Sequence, residues 1–133
     1  PILYSLGNFI QQNDSVRWTP PDALAQFGLS NAATPADFYD RRVSKQKKLP
    51  NPHRWESAIA MVDFDEDKLK EVRLHPIELG WGLPRYEKGR PVLADPGGEA
   101  AQRVLKRLQE LSEPFGTRIE IKNGVGVIRC NSV

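Results

Sequence analysis

The chain has 133 residues, with 19 Lys and Arg against 17 Asp and Glu, two His and one Cys. That length suits one domain with a real core. A single thiol excludes a disulfide framework or a multi-cysteine zinc site, and a net charge of +2 is too small to argue for nucleic acid as a partner.

Ten Gly and eleven Pro make the chain loop-rich. No apolar run approaches the ~18 residues of a membrane span. Pro1–Ile10 reads Pro-Ile-Leu-Tyr-Ser-Leu-Gly-Asn-Phe-Ile. Ile2 to Leu6 is almost continuously apolar, as in a strand buried on both faces. Gly7-Asn8 then tolerates positive φ and close backbone approach. There is no initiator Met and no signal-peptide pattern. A chain that opens inside a strand is expected to be a piece of a longer protein.

Gln11 to Pro21 is a polar loop. Pro21 to Phe27 fits a short helix with Pro in its first turn and Gly28 at its C-cap. Thr34-Pro35-Ala36-Asp37 is a strong helix start, and the spacing predicts a helix from about Pro35 to Lys45. The basic run Arg41 to Lys48 is either a solvated helix face or an anion-attracting surface. Pro50-Asn51-Pro52 ends it.

Trp55–Phe64 and Leu69–Leu79 predict a hairpin around the polar turn 65–68. In its second strand Val72, Leu74 and Pro76 take one side, and Arg73, His75 and Ile77 the other. Gly80 to Leu93 shows no period and reads as loop. Asp95 is the expected N-cap of the next helix, with Pro96 first. Ala101, Val104, Leu105, Leu108 and Leu111 form its apolar stripe. Pro114-Phe115-Gly116 stops it. Asn123-Gly124 then predicts a closing hairpin, with Ile119 and Ile121 paired to Val125 and Val127. The order of elements predicts an α+β fold with two hairpins and about three helices. The divisions are 1–10 (core strand and turn), 11–54 (a helical insertion) and 55–133 (hairpin, helix, hairpin). The whole is one domain or the C-terminal part of a larger one.

Chemistry is sparse. His53 and His75 are isolated and lack metal-ligand spacing. Asp63, Asp65, Glu66 and Asp67 crowd one turn without the central Gly of a calcium loop. Ser5 lacks the first Gly of a nucleophile elbow, and Cys130 has no nearby His. Gly124-Val125-Gly126 and Gly97-Gly98 fail as phosphate loops.

Three segments in order resemble one family. Ile-Leu-Tyr-Ser-Leu-Gly-Asn-Phe (2–9) is similar to a strand of the CapA family, the poly-γ-glutamate capsule synthesis proteins. Arg73-Leu-His-Pro-Ile-Glu-Leu79 and Leu111-Ser-Glu-Pro-Phe-Gly-Thr117 resemble two later segments of it. The resemblance implies the C-terminal part of a two-sheet α/β/β/α metallophosphatase-like fold. It implies a metal-dependent hydrolase or polymer-synthesis protein of bacterial origin, cytoplasmic or envelope-associated. A divalent metal (Mn, Zn or Fe) would be held by motifs outside this chain, and none by this chain alone. Ser5, Gly7, Asn8 and Phe9 would then border the cleft, with Asn8 the side chain suited to substrate or bound water. The implied partners are the N-terminal portion of the same protein and an anionic polymer or small molecule; self-association is expected on a separate ground, that an unpaired apolar strand over Ile2 to Leu6 is an association site. Residues 11–53, with Trp18, Phe38 and Tyr39, would either line a substrate groove or pack on their own aromatics. The alternative function is a non-catalytic binding module.

Overall fold

The computed structural model describes residues 17–46, 51–84 and 86–130. The fold is α+β, an antiparallel sheet with helices. Two compact units divide the chain, one within Gln11–Asn51 and the other containing everything from Pro52 onward.

The smaller unit contains helices α1 (Pro21–Gln26) and α2 (Pro35–Gln46). Pro21 opens α1, where its missing N–H costs nothing. Thr34 and Asp37 form a reciprocal cap at α2. The Asp37 N–H donates to Thr34 Oγ1 at 3.2 Å, and the Thr34 N–H donates to Asp37 Oδ2 at 2.8 Å. Leu24 and Phe38 form the buried centre of this unit. Phe27 meets Phe38 edge-on at 5.1 Å, and Phe38 meets Tyr39 at 5.3 Å. Lys45 reaches back to the Gln26 carbonyl at 3.3 Å and lies over the Phe27 ring, so part of the basic run is spent on local packing.

Among the described residues the larger unit is built on a five-stranded sheet. Strands β1 (Glu56–Asp65) and β2 (Lys68–Glu78) form the predicted hairpin, closed at Glu66-Asp67. A register shift lies between Asp63 and Phe64, a bulge that increases local twist. Strand β2 is central. Its far edge is shared by β5 (Val125–Arg129), which pairs with Glu71–Leu74, and the two-residue β3 (Val92–Leu93), which pairs with Ile77 and Glu78. Strand β4 (Glu120–Lys122) completes the order β1-β2-β5-β4. Helix α3 (Glu99–Ser112) packs on β2. Val72, Leu74, Leu105 and Ile119 form the core between them.

Four local expectations are corrected. Helix α3 begins at Glu99 with Gly98 as N-cap and no side-chain cap. Asp95 instead closes the turn before it, accepting the Gly97 N–H at 3.2 Å on its carboxylate and the Gly98 N–H at 2.8 Å on its carbonyl. This is the local bonding that makes Asp compete with helix starts. The loop after β2 ends in β3 rather than running unpaired to Leu93. In the closing hairpin the pairs are Lys122↔Val125, Ile121↔Gly126 and Glu120↔Val127. A two-residue turn sets an odd-numbered residue opposite an even one, so the isoleucines cannot face Val125 and Val127. Finally, Leu111 is 57% exposed. The stripe of α3 leaves the core after Leu105 and Leu108, one turn earlier than the periodicity implies.

Candidate functional site

The expected cleft residues Ser5, Gly7, Asn8 and Phe9 lie outside the described residues, as do Lys47 and Lys48 of the basic run. Among the described residues, no group of three or more His, Cys, Asp or Glu comes together as metal ligands would. The histidines fall in different places. His53 lies in a single turn of 3-10 helix (Pro52–Trp55), with Nδ1 3.4 Å from Glu56 Oε2. His75 sits in β2 opposite Ile59, its Nε2 buried without a hydrogen-bond partner. Neighbouring Arg73 has its Nε buried without a hydrogen bond and 3.6 Å from Glu71. The turn carboxylates Asp63, Asp65, Glu66 and Asp67 are all exposed. Cys130 is a free thiol at the end of β5, its N–H bonded to the Lys70 carbonyl.

The structure draws attention to the loop between β2 and β3. Its neck is tied three times. The Leu79 N–H donates to the Trp55 carbonyl at 2.8 Å. The Gly89 N–H donates to the Leu79 carbonyl at 2.9 Å. Beyond these, Glu78 pairs with Val92. Inside the neck, turns form at Gly80–Leu83 and Pro84–Glu87, each closed by a backbone hydrogen bond. Gly80 has φ +78, and a Cβ there would stand 3.0 Å from Leu83 Cδ1. The left-handed backbone conformation therefore calls for glycine, while the Leu83 side-chain tip could shift to admit a Cβ.

One ring supports the loop from below. Trp55 lies 6.5 Å from Trp81, and the Lys88 ammonium sits 5.4 Å from the Trp55 centroid. Next to Trp55 in the chain, the Glu56 side chain is only 4% exposed. Arg103 of α3 donates to Glu56 Oε1 through Nε at 2.9 Å and Nη2 at 2.6 Å. Such charge-assisted pairs are strong and directional. The helix is thereby tied to the start of β1.

Between this loop and the sheet edge lies an open cleft of about 300 Å³. Trp81, Leu83 and Val92 give it apolar walls, and Glu78, Glu87 and Arg90 give it charge. Among the described residues no ion pair joins Arg90 to either carboxylate. Sequence reasoning passed over this site because the segment has no periodicity. The signal it did carry was aromatic residues interleaved with charges between glycines, Trp81 through Arg90. Glu120 lies in β4. A 2.8 Å bond from Lys122 and the charge of that ammonium hold its carboxyl below the ordinary value.

No family model matches the chain. Two uncharacterised proteins of Sinorhizobium fredii (strain NBRC 101917 / NGR234), y4sH and y4uA, are each 41% identical to it over 140 residues. The match takes in 97% of this chain but 29% of each relative, so the chain spans less than a third of their length.

Proposed function

We propose that this chain is the C-terminal portion of a CapA-like protein, acting in capsule or poly-γ-glutamate synthesis through a metallophosphatase-like fold. The observation that carries the reading is the order of the three resembling segments along the chain; the match to 29% of each of two longer relatives fits a part of a longer protein. Arg73–Leu79 runs along β2 into the cleft loop, and Leu111–Thr117 spans the end of α3 before the final hairpin. The divalent metal that the resemblance implies does not fit the described residues, which bring no three ligands together. In this reading it belongs to the rest of the protein. The resemblance implies that Gly7 and Asn8 border that site, and Asn8→Ala is expected to lower turnover about 10-fold or more.

The test compares the full protein encoded around this chain with the chain alone. Both are dialysed against Mn²⁺ and assayed on a phosphodiester such as bis-p-nitrophenyl phosphate. Retained metal and hydrolysis in the full protein, with neither in the chain alone, is the expected result. Stoichiometric micromolar Mn²⁺ binding by the chain alone, lost in His53→Ala or His75→Ala, overturns it. So does a full protein that holds no metal. One observation favours the second reading, a non-catalytic binding module. The cleft of the β2–β3 loop is built entirely from this chain.

A further inference from the structure

We propose that the cleft under the Gly80–Pro91 loop is a subsite for one neutral sugar ring. Its volume, about 300 Å³, stands at the lower end of ligand pockets and suits one small ring rather than an extended molecule. Its walls supply two unlike demands. Trp81 presents a partly exposed aromatic face, joined by Leu83 and Val92. The electron-rich face of an indole attracts the weakly positive C–H edge of a saturated ring. Around it stand planar polar groups. The carboxylates of Glu78 and Glu87 accept hydrogen bonds, and the Arg90 guanidinium donates them. A hydroxyl both donates and accepts, so neighbouring hydroxyls of one ring satisfy all three heads together.

Charge decides between this ligand and its competitors. Among the described residues, the lining carries two carboxylates and one guanidinium, with the Lys88 ammonium nearby over Trp55. A phosphate or a polycarboxylate would pair with Arg90 but face Glu78 and Glu87 as like charges. A simple ammonium would satisfy the carboxylates and repel Arg90. A neutral polyhydroxyl ring meets no like charge. The platform is also preorganised. Trp81 rests beside Trp55, and the loop neck is closed by backbone hydrogen bonds, so little ordering cost falls on the ligand's arrival. This assignment is independent of the metallophosphatase reading.

The experiment is a titration of the whole chain, followed by amide and indole NMR shifts. The probes are methyl β-glucopyranoside and N-acetylglucosamine, with γ-glutamylglutamate and inorganic phosphate as the charged competitors. An open site of this kind gives a Kd of order 1–10 mM. The expected result is saturable shifts from either sugar, centred on the Trp81 indole and on residues 87–92. Trp81→Ala weakens the sugar about 10-fold, and Glu87→Gln weakens it several-fold. Should Trp81→Ala lose the folded spectrum, Glu87→Gln and Arg90→Gln, both at exposed positions, carry the test. The proposal is overturned by absence of shifts up to ~100 mM sugar. It is equally overturned if the dipeptide or phosphate moves these resonances and the sugars do not. Folded variants that bind sugar as the unaltered chain does overturn it too.

Discussion

Gly124→Ala isolates how the tip of the closing hairpin is held. Gly124 sits at φ +74 after Asn123 at φ 50, the mirror-image turn that matches strand twist. An alanine there carries the left-handed penalty of about 1–2 kcal/mol. It also carries a steric one. The new Cβ would press on Pro96, at 2.5 Å from its Cβ and 2.7 Å from its carbonyl oxygen, and closer still to its Cα. These are backbone and ring atoms, so the whole Asp95–Gly98 turn must move, an overpacking cost of about 1–3 kcal/mol. The expected loss is thus about 2–5 kcal/mol. Gly116→Ala is the matched control. Its φ is +71, but nothing lies within 4 Å of the added atom, so only the 1–2 kcal/mol conformational part applies. Reduced unfolded-state entropy offsets both variants alike. Urea denaturation at 25 °C gives the two values. A difference of at least about 1 kcal/mol between them is expected. Equal losses would refute the packing of the hairpin tip against Pro96.

Leu105→Ala removes a side chain that is 1% exposed at the centre of the helix–sheet core. It should cost about 3–4 kcal/mol in the same assay. Arg103→Ala leaves the buried Glu56 carboxylate with His53 alone. A loss of about 2–4 kcal/mol is expected, and Glu56→Gln with Arg103→Ala together should cost less than the two single losses added. Glu120 has a lowered pKa in the folded chain. Its contribution to stability is therefore present above the unfolded carboxylate value and is lost as pH falls through the lowered one. Lys122→Ala should raise the Glu120 titration point, read by carboxyl carbon shifts, and shrink that acid-side dependence.

Local periodicity made much of the fold legible. Ala101, Val104 and Leu105 announced the buried stripe of α3, Thr34 to Asp37 announced a cap, and Asn123-Gly124 announced a turn. Each signal lies within a few residues and needs no knowledge of distant partners. What the sequence hid depends on tertiary contact. Nothing local says that Val92-Leu93 will meet Ile77 and Glu78. The Asp95 turn was a local alternative to a cap that the reading passed over, whereas nothing local says that Leu111 will outrun the strands. The cleft was hidden for the same reason. Trp55 and Trp81 lie 26 positions apart in sequence, and only the hairpin brings them together. Ser5, Gly7, Asn8 and Phe9 were selected by resemblance to a family motif, a kind of signal that carries no local geometry.

The division of β2's far edge between two short partners separates the sheet from what the chain displays above it. Pairing of Ile77 with Leu93 and of Glu78 with Val92 fixes both ends of the intervening segment, whatever that segment contains. Closing a longer loop across the same ends adds only about 0.6 kcal/mol for each doubling of length. Insertions between Gly82 and Lys88 are therefore cheap, while a one-residue slip at Val92 would turn every following side chain to the opposite face. The fold can thus vary this rim of the sheet while the helix-covered core stays under separate constraint.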